Sequence, residues 1–229
     1  MRSLSASVST LGLLICMSPA AQAADWLTAP TSLYDWSGTY LGAQVGYGGG
    51  SSSVSELDWP AGTLNQGPYS YDTDGFFGGI HAGHNVQSGS FVFGAEADLE
   101  YSGIDGTFAF GGGDFYDKHI RWTGSVRGRA GAAFDRVLVY ATAGLAFASV
   151  NMKAIDTGIS EISNTETAFG WTAGAGAEYA FDNLWSTRLE YRYADYGETS
   201  VSGSIYGGDF SYPTSNKVHA VRLGVSRKF

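Results

Sequence analysis

The amino-acid sequence predicts an all-β protein: an eight-stranded antiparallel up-and-down transmembrane β-barrel with short periplasmic turns and four long extracellular loops. Three observations lead to this fold class. Apolar and polar residues alternate with period two over eight segments, the connections between these segments alternate between long and short, and glycines gather on the polar face of the strands.

The first residues have the order of a secretory signal peptide. Arg2 is basic, residues 8–17 are apolar, and Ala21-Gln22-Ala23 is a small-x-small cleavage site. The apolar run is shorter than the ~20 residues that a spanning helix needs. We therefore expect a signal peptide over residues 1–23 with cleavage near Ala23, a short periplasmic segment over residues 24–35 and an outer-membrane barrel domain over residues 36–229.

Composition excludes several classes of protein. The net charge of −9 opposes binding to nucleic acid, which requires a basic surface. Cys16 is the only cysteine, so signal-peptide cleavage leaves no thiol for disulfides or cysteine metal sites. Lipid anchoring at Cys16 is an alternative, but the bulky Ile15 precedes it, where that processing uses a small residue.

Each of the first four strands is predicted from its own alternation. The first, 36–48, has apolar residues at odd positions from Leu41 to Tyr47; the second, 75–86, has them at even positions from Ile80. The third, 91–101, alternates without interruption, with its apolar residues at odd positions. In the fourth, 119–133, Ile120 and Trp122 lie on one face, and Arg121, Arg127 and Arg129 lie on the other.

The last four strands complete the even number that a barrel with both termini in the periplasm needs. Residues 137–148 are apolar on both faces, so alternation leaves the register of this strand open. Residues 169–181, 185–196 and 218–229 carry their apolar residues at odd positions. The closing strand ends at Phe229.

The connections sort by length in the way that membrane barrels require. Long polar segments cover 49–72, 103–118, 150–165 and 197–216, and short ones cover 87–90, 134–136 and 182–183. Loops outside and tight turns on the periplasmic side produce this pattern. A soluble sandwich gives no reason for it.

Glycine and aromatic residues predict which face of each strand points inward. A glycine in a water-facing strand costs roughly 0.5–1 kcal/mol against alanine, whereas a narrow lumen gains room from it. The glycines on the charged face are Gly42, Gly46, Gly83, Gly94, Gly174, Gly176 and Gly224. The aromatic residues on the apolar face, mostly near strand ends, are Tyr47, Phe91, Tyr101, Trp122, Phe169, Phe181, Trp185, Tyr191, Tyr193 and Phe229. We therefore expect the apolar face to contact outer-membrane lipid and the charged face to line the lumen.

Several runs resemble the porin-like small surface proteins of alphaproteobacterial outer membranes, a group that includes major outer-membrane proteins of Brucella and rhizobia. Opacity proteins and the OmpA barrel are more distant relatives. The runs are FVFGAEADL (91–99), SVRGRAG (125–131), GWTAGAGAEY (170–179), LEYRY (189–193) and the closing VRLG (221–224) to Phe229. The resemblance covers essentially all of the predicted mature chain. It implies a porin-family barrel in the Gram-negative envelope that acts as a surface antigen, sometimes with a role in adhesion or haemin binding.

The carboxyl-terminal residue fits the signal that the outer-membrane barrel assembly machinery reads in such proteins. The chain ends in Phe229 as that signal requires, but the usual aromatic residue at the third position from the end is Arg227. We expect assembly through Phe229 with a weakened signal.

The lumen-facing charges are nearly balanced, with five acids and six arginines: Glu96, Asp98, Glu100, Glu178, Glu190, Arg121, Arg127, Arg129, Arg188, Arg192 and Arg222. An ion pathway or a catalytic carboxylate pair is one interpretation. Because buried charges must be paired, we favour a salt-bridge network that plugs the lumen.

No catalytic, cofactor-binding or metal-binding residues are predicted, and the protein is expected not to be an enzyme. His81 and His84 point to opposite faces of one strand, and no strand carries a convincing His–Ser pair on one face. His119 and His219 lie near outer strand ends and could assist haem binding. The outer segments also carry aspartates without a defined Ca²⁺-loop spacing.

Aromatic residues in the predicted outer loops are the strongest sign of a specific surface function. They are Trp59, Tyr69, Tyr71, Phe115, Tyr116, Tyr206, Phe210 and Tyr212. The expected function is a structural and surface-interaction barrel that contributes to envelope integrity. The alternative is a protein that binds haem or a host ligand through its loops; a secreted soluble carrier barrel is a third hypothesis.

Overall fold

A computed structural model of the chain describes residues 34–58, 61–111, 114–156, 160–205 and 208–229. The strands are β1 (Gly38–Asp58), β2 (Thr63–Ser88), β3 (Phe91–Gly111), β4 (Asp114–Phe134), β5 (Val137–Asp156), β6 (Ser160–Ala180), β7 (Trp185–Ile205) and β8 (Gly208–Lys228). They form a closed barrel in which each strand pairs antiparallel with the next strand in the chain and β8 pairs with β1. The predicted all-β, eight-stranded up-and-down barrel is confirmed.

The predicted signal peptide, with its cleavage site at Ala23, lies outside the described residues, as does the periplasmic segment up to residue 33. In the described ranges, no helix is long and apolar enough to cross a membrane.

The strands continue far beyond the ends that alternation predicted, and the prediction of four long loops is corrected accordingly. Most of the segments 49–72, 103–118, 150–165 and 197–216 is strand; β1 and β2, for example, are separated only by residues 59–62. Alternation with an apolar outer face marks only the part of a strand that contacts lipid. Backbone hydrogen bonds between neighbouring strands do not require an apolar face, so the strands continue with polar residues beyond the part that contacts lipid.

The outer face of the barrel carries a continuous apolar band, as predicted. Val45 and Leu145 are 61% and 74% exposed, although they are large apolar residues. At the outer border of the band, aromatic rings pair edge to face: Tyr47 with Phe76, with ring centroids 5.0 Å apart, and Tyr101 with Trp122 at 5.2 Å. All ten aromatic residues assigned to the apolar face lie on the outside. The band and its aromatic border have the arrangement of a lipid-facing surface.

The interior contains three layers. At the end of the barrel with the β4–β5 turn, Tyr34 and Trp36 pack with Leu138 and Tyr140, and the Trp36 indole Nε1 donates to the Asp135 carbonyl at 3.0 Å. The middle layer is charged. The outer layer is an apolar cluster that includes Val54, Tyr71, Ile104, Tyr116, Ile120, Val150, Met152 and Tyr212. Three of the aromatic residues predicted on exposed loops, Tyr71, Tyr116 and Tyr212, are thus buried inside the extended barrel wall.

A β-bulge in β4 corrects the prediction for Ile120 and Arg121. The register shifts between Ile120 and Trp122, so Arg121 is inserted between two paired positions. Ile120 is therefore buried in the lumen with 1% exposure, and Arg121 is exposed on the outer wall. A one-residue insertion exchanges the two faces of the strand beyond it.

The structure also determines the register of β5, which alternation left open. Leu138 and Tyr140 point into the lumen and are buried, whereas Val139 and Leu145 face outward. The even positions of this strand are therefore the interior ones.

Candidate functional site

The charged layer is built from inward positions of β3, β4, β6, β7 and β8. Glu96, Asp98 and Glu100 occupy alternate positions of β3 and therefore share its inner face. Ladder pairing places Glu96 beside Arg127 of β4, and Glu190 of β7 beside Arg222 of β8. Apart from Arg121, every charged residue predicted in the lumen is buried there: Glu96, Asp98, Glu100, Glu178, Glu190, Arg127, Arg129, Arg188, Arg192 and Arg222.

Two arginines each join carboxylates of different strands. Arg127 Nη2 lies 2.5 Å from Glu96 Oε1, and Arg127 Nη1 lies 2.7 Å from Glu190 Oε1. Arg222 donates to Glu100 Oε1 at 2.8 Å and to Glu190 Oε1 at 2.9 Å. The planar guanidinium presents several donors in one plane, so a single arginine can bridge two acids across the lumen.

The remaining ion pairs join β7 to β3 and β4 to β6. Arg192 contacts Asp98 Oδ1 at 3.1 Å and Glu100 Oε2 at 2.6 Å. Arg188 pairs with Glu96, and Arg129 pairs with Glu178. The side chains of these pairs are 0–6% exposed. These charged side chains are therefore buried inside the barrel, as the sequence predicted.

Neutral side chains add hydrogen bonds to the network, and sequence reasoning did not identify them. The Tyr40 hydroxyl donates to Glu96 Oε2 at 2.8 Å, and Gln44 Nε2 donates to Glu100 Oε1 at 2.8 Å. The Tyr140 hydroxyl donates to Glu190 Oε2 at 3.0 Å. Tyr40 and Gln44 could have been found from their even positions in β1, which lie opposite the apolar odd positions and therefore face the lumen.

Glycines give these long side chains the room that they need. A Cβ built at Gly176 would lie 2.8 Å from the Tyr140 hydroxyl, and one built at Gly224 would lie 3.1 Å from Arg188 Nε. Both approaches are closer than an ordinary van der Waals contact. The predicted role of the inward glycines as space for interior packing is confirmed at these positions.

A buried Ser–His contact lies across β1, although no single strand carries such a pair. His81 on β2 and Ser226 on β8 both flank Gly42, and His81 Nε2 lies 2.8 Å from Ser226 Oγ. His81 is 1% exposed, and its Nδ1 has no hydrogen-bond partner in the described part of the chain. A serine nucleophile needs an orienting acid behind its histidine and access for a substrate. This contact has neither.

The other histidines lie on the outer wall. His84 faces away from His81, as predicted, and its Nδ1 is 3.0 Å from Thr39 Oγ1. His119 Nδ1 is 3.7 Å from Asp105 Oδ2, and His219 Nδ1 is 2.6 Å from the Tyr191 hydroxyl. Over the residues that the structure describes, no group of three or more His, Cys, Asp or Glu side chains is placed to hold a metal ion.

A lysine is buried in the outer apolar layer, where sequence reasoning predicted a loop. Lys118 is 1% exposed, and its Nζ donates to Ser52 Oγ at 2.9 Å and to the Ser215 carbonyl at 3.0 Å. Burial lowers the pKa of Lys118 to about 7. A buried cation held by neutral acceptors is the one charge of the interior that has no carboxylate partner among the described residues.

Comparison with known proteins agrees with this architecture. The family model of the outer membrane protein beta-barrel domain matches residues 8–229. The 31 kDa outer-membrane immunogenic protein of Brucella melitensis biotype 1 is 34% identical over 212 residues, which cover 88% of this chain and 87% of that protein. The 22 kDa outer membrane protein of Rhizobium leguminosarum bv. viciae is 38% identical over 196 residues, 85% of this chain and 78% of that protein.

Among solved structures, the outer membrane protein OprG of Pseudomonas aeruginosa superposes with a TM-score of 0.60 at 11% identity, covering 84% of this chain and 96% of that chain. At this identity the likeness shows the fold alone. The match of the family model over nearly the whole chain, together with the relatives above 30% identity, supports the expected resemblance and the outer-membrane location. The chain belongs to the family of outer-membrane β-barrel proteins that includes the immunogenic surface proteins of Brucella.

Proposed function

We propose that the protein is a non-conducting structural barrel of the outer-membrane surface that contributes to envelope integrity and cell-surface interactions, and that it is not an enzyme. The observation that carries this proposal is the layer of paired charges buried inside the barrel. Arg127, Glu96 and Glu190 have fully buried side chains with direct ion pairs. An ion that crosses the barrel would have to separate such pairs, and an unpaired buried charge costs several kcal/mol (~3–5).

Planar-bilayer recording tests the absence of conduction. Refolded protein, whose folded state is first verified by its heat-dependent shift in gel mobility, is expected to give no stepwise current. Reproducible unitary steps from the wild-type protein would contradict a closed lumen.

A deletion strain tests the role in the envelope. We expect the strain to become more sensitive to detergent and to recover when it is complemented with the wild-type gene. Complementation with an Arg127→Ala, Glu190→Ala variant should be weaker, because a less stable barrel accumulates less. Unchanged sensitivity of the deletion strain would remove envelope integrity from the proposal.

The absence of enzymatic activity is supported by the buried His81–Ser226 contact, which lacks an orienting acid. Ser226→Ala is expected to leave ester and peptide hydrolysis of the purified protein at the level of the heat-denatured blank, as in the wild type. A hydrolytic activity that the wild type shows and Ser226→Ala loses would refute this part of the proposal.

Capture of haem or a host ligand at the outer wall is the second candidate function. One observation favours it: His219 is exposed at the outer border of the apolar band, 2.6 Å from the Tyr191 hydroxyl and with its ring 4.9 Å from that of Tyr193. Spectral titration with haemin tests it, with His219→Ala as the variant and His84→Ala as the matched control. A Soret shift that is absent, or that survives in His219→Ala, would exclude this site.

We also propose that the assembly machinery reads Phe229. The side chain is 67% exposed at the end of β8, and the Arg227 guanidinium lies 5.0 Å from its ring centroid. Phe229→Ala is expected to lower the assembled fraction in cells, and Arg227→Phe is expected to raise it. Equal assembly of the three proteins would contradict this role.

A further inference from the structure

A groove of about 450 Å³ lies on the outer wall, across β2, β1 and β8. We call it the rim groove; its principal lining residues are Gly49, Ser51, Asp72, Asp74, Lys217 and His219. Gly49 forms its floor, since it pairs with Asp74 on one side and with His219 on the other. A Cβ built at Gly49 would lie 2.9 Å from the Asp74 Cβ, so a side chain there would fill the depression.

The two walls of the rim groove carry opposite charges. Asp72 and Asp74 stand on β2, and Lys217 and His219 stand on β8. Neighbouring strands are ~4.8 Å apart, which places the two walls roughly 10 Å from each other at the backbone. The groove between the two walls has space for a small ligand with a positive and a negative group.

Hydrogen bonds hold three of these four side chains in place. The Tyr47 hydroxyl donates to Asp74 Oδ2 at 2.5 Å, and Ser51 Oγ donates to Asp72 Oδ1 at 2.9 Å. Each carboxylate thus keeps its second oxygen for another donor. The His219 ring is held by a hydrogen bond between its Nδ1 and the Tyr191 hydroxyl. Among the residues that the structure describes, Lys217 makes no ion pair.

The height of the rim groove places it at the lipid head groups. Tyr47 and Phe76 mark the outer border of the apolar band, and Gly49 and Asp74 are the next outward-facing positions on the same strands. Two residues along a strand span ~7 Å. Acyl chains of a membrane lipid can therefore lie along the apolar band while its head group enters the rim groove.

We propose that the rim groove binds the head group of a zwitterionic phospholipid of the phosphoethanolamine type, with its phosphate at Lys217 and His219 and its ammonium at Asp72 and Asp74. A phosphate alone would meet two carboxylates, and an amine alone would meet Lys217. A head group that carries both charges satisfies both walls.

Native mass spectrometry of the refolded full chain in detergent with added lipid tests the proposal. The probes are phosphatidylethanolamine and phosphatidic acid with the same acyl chains. The wild type is expected to retain phosphatidylethanolamine over phosphatidic acid by about fivefold, the contribution of an exposed ion pair. Asp72→Asn with Asp74→Asn should remove this preference, and Lys217→Gln should lower retention of both lipids. Ser51→Phe should block both without a change in charge.

The matched control is Asp117→Asn with Arg121→Gln, which removes one acid and one base on the outer wall of β4, away from the rim groove. Heat-dependent gel mobility verifies that every variant is folded. Equal retention of the two lipids by the wild type, or losses in the control equal to those in the rim-groove variants, would overturn the proposal. Soluble phosphoethanolamine that binds as tightly as the lipid would overturn the assignment of a membrane lipid as the source.

Discussion

Replacement of Glu190 by glutamine tests the central claim that the lumen is held together by paired charges. The Glu190 carboxylate accepts hydrogen bonds from Arg127 at 2.7 Å, from Arg222 at 2.9 Å and from the Tyr140 hydroxyl at 3.0 Å. Glutamine has nearly the same shape but no charge. The change therefore leaves packing intact and removes one of the five carboxylates that balance the five buried arginines of the lumen.

The expected loss follows from the burial of these groups. The side chains of Arg127 and Glu190 are fully buried, and that of Arg222 is 1% exposed. Removal of one partner from a buried pair costs about 3–5 kcal/mol, because it leaves an uncompensated charge away from water. A loss of this size changes the equilibrium constant of unfolding by roughly 10² to 4 × 10³-fold.

The assay is reversible urea unfolding of the refolded protein in lipid vesicles, followed by tryptophan fluorescence. Glu198→Gln is the control, since this glutamate is exposed on the extension of β7 and should change the free energy of unfolding by less than ~0.5 kcal/mol. In a double-mutant cycle, Glu190→Gln and Arg222→Gln should couple by about 0.5–3 kcal/mol. If Glu190→Gln were as stable as Glu198→Gln, the network would not stabilise the barrel.

Three further outcomes follow from interior packing. Gly176→Leu should overpack the lumen, destabilise the barrel by about 1–3 kcal/mol and reduce the folded, heat-shifted fraction on gels. Gly128→Leu should leave this fraction unchanged, because a Cβ added at Gly128 has no neighbour nearer than 3.8 Å. Burial lowers the pKa of Lys118 from 10.5 to about 7, so between these pH values the unfolded chain binds more protons than the folded one. The free energy of unfolding should therefore rise with pH across this window, by up to ~1.4 kcal/mol per pH unit. Urea titrations at several pH values should show this slope in the wild type and its absence in Lys118→Met. Trp36→Ala removes a buried ring and its hydrogen bond to the Asp135 carbonyl, and should lower the free energy of unfolding by about 3–5 kcal/mol. An unchanged urea midpoint would show that this ring does not stabilise the barrel.

Alternation predicted the membrane-facing part of the barrel because the bilayer imposes a strict rule on it. A lipid-facing strand must show apolar residues at every second position, so the period-two pattern of residues 91–101 placed Glu96, Asp98 and Glu100 on the inner face. Beyond the bilayer this rule does not apply. The polar extension of β1 to Asp58 and the burial of Tyr71 were therefore not predicted.

The bulge at Arg121 shows a second limit of local patterns. One inserted residue leaves the sequence on either side with good alternation, and only pairing with β5 reveals that the phase changes at this point. The contact between His81 and Ser226 is a related case, because it forms across an intervening strand through the open space above Gly42.

The sequence by itself determined the eight strands, the face that meets lipid in every strand except β5, and the near balance of acids and arginines inside, because these depend on period, composition and charge along one strand. Only the tertiary structure decided which charges meet. Arg192 and Asp98 lie on strands that are not neighbours in the wall and contact each other across the lumen at 3.1 Å. Such contacts depend on the curvature and closure of the whole sheet, and no single strand carries that information.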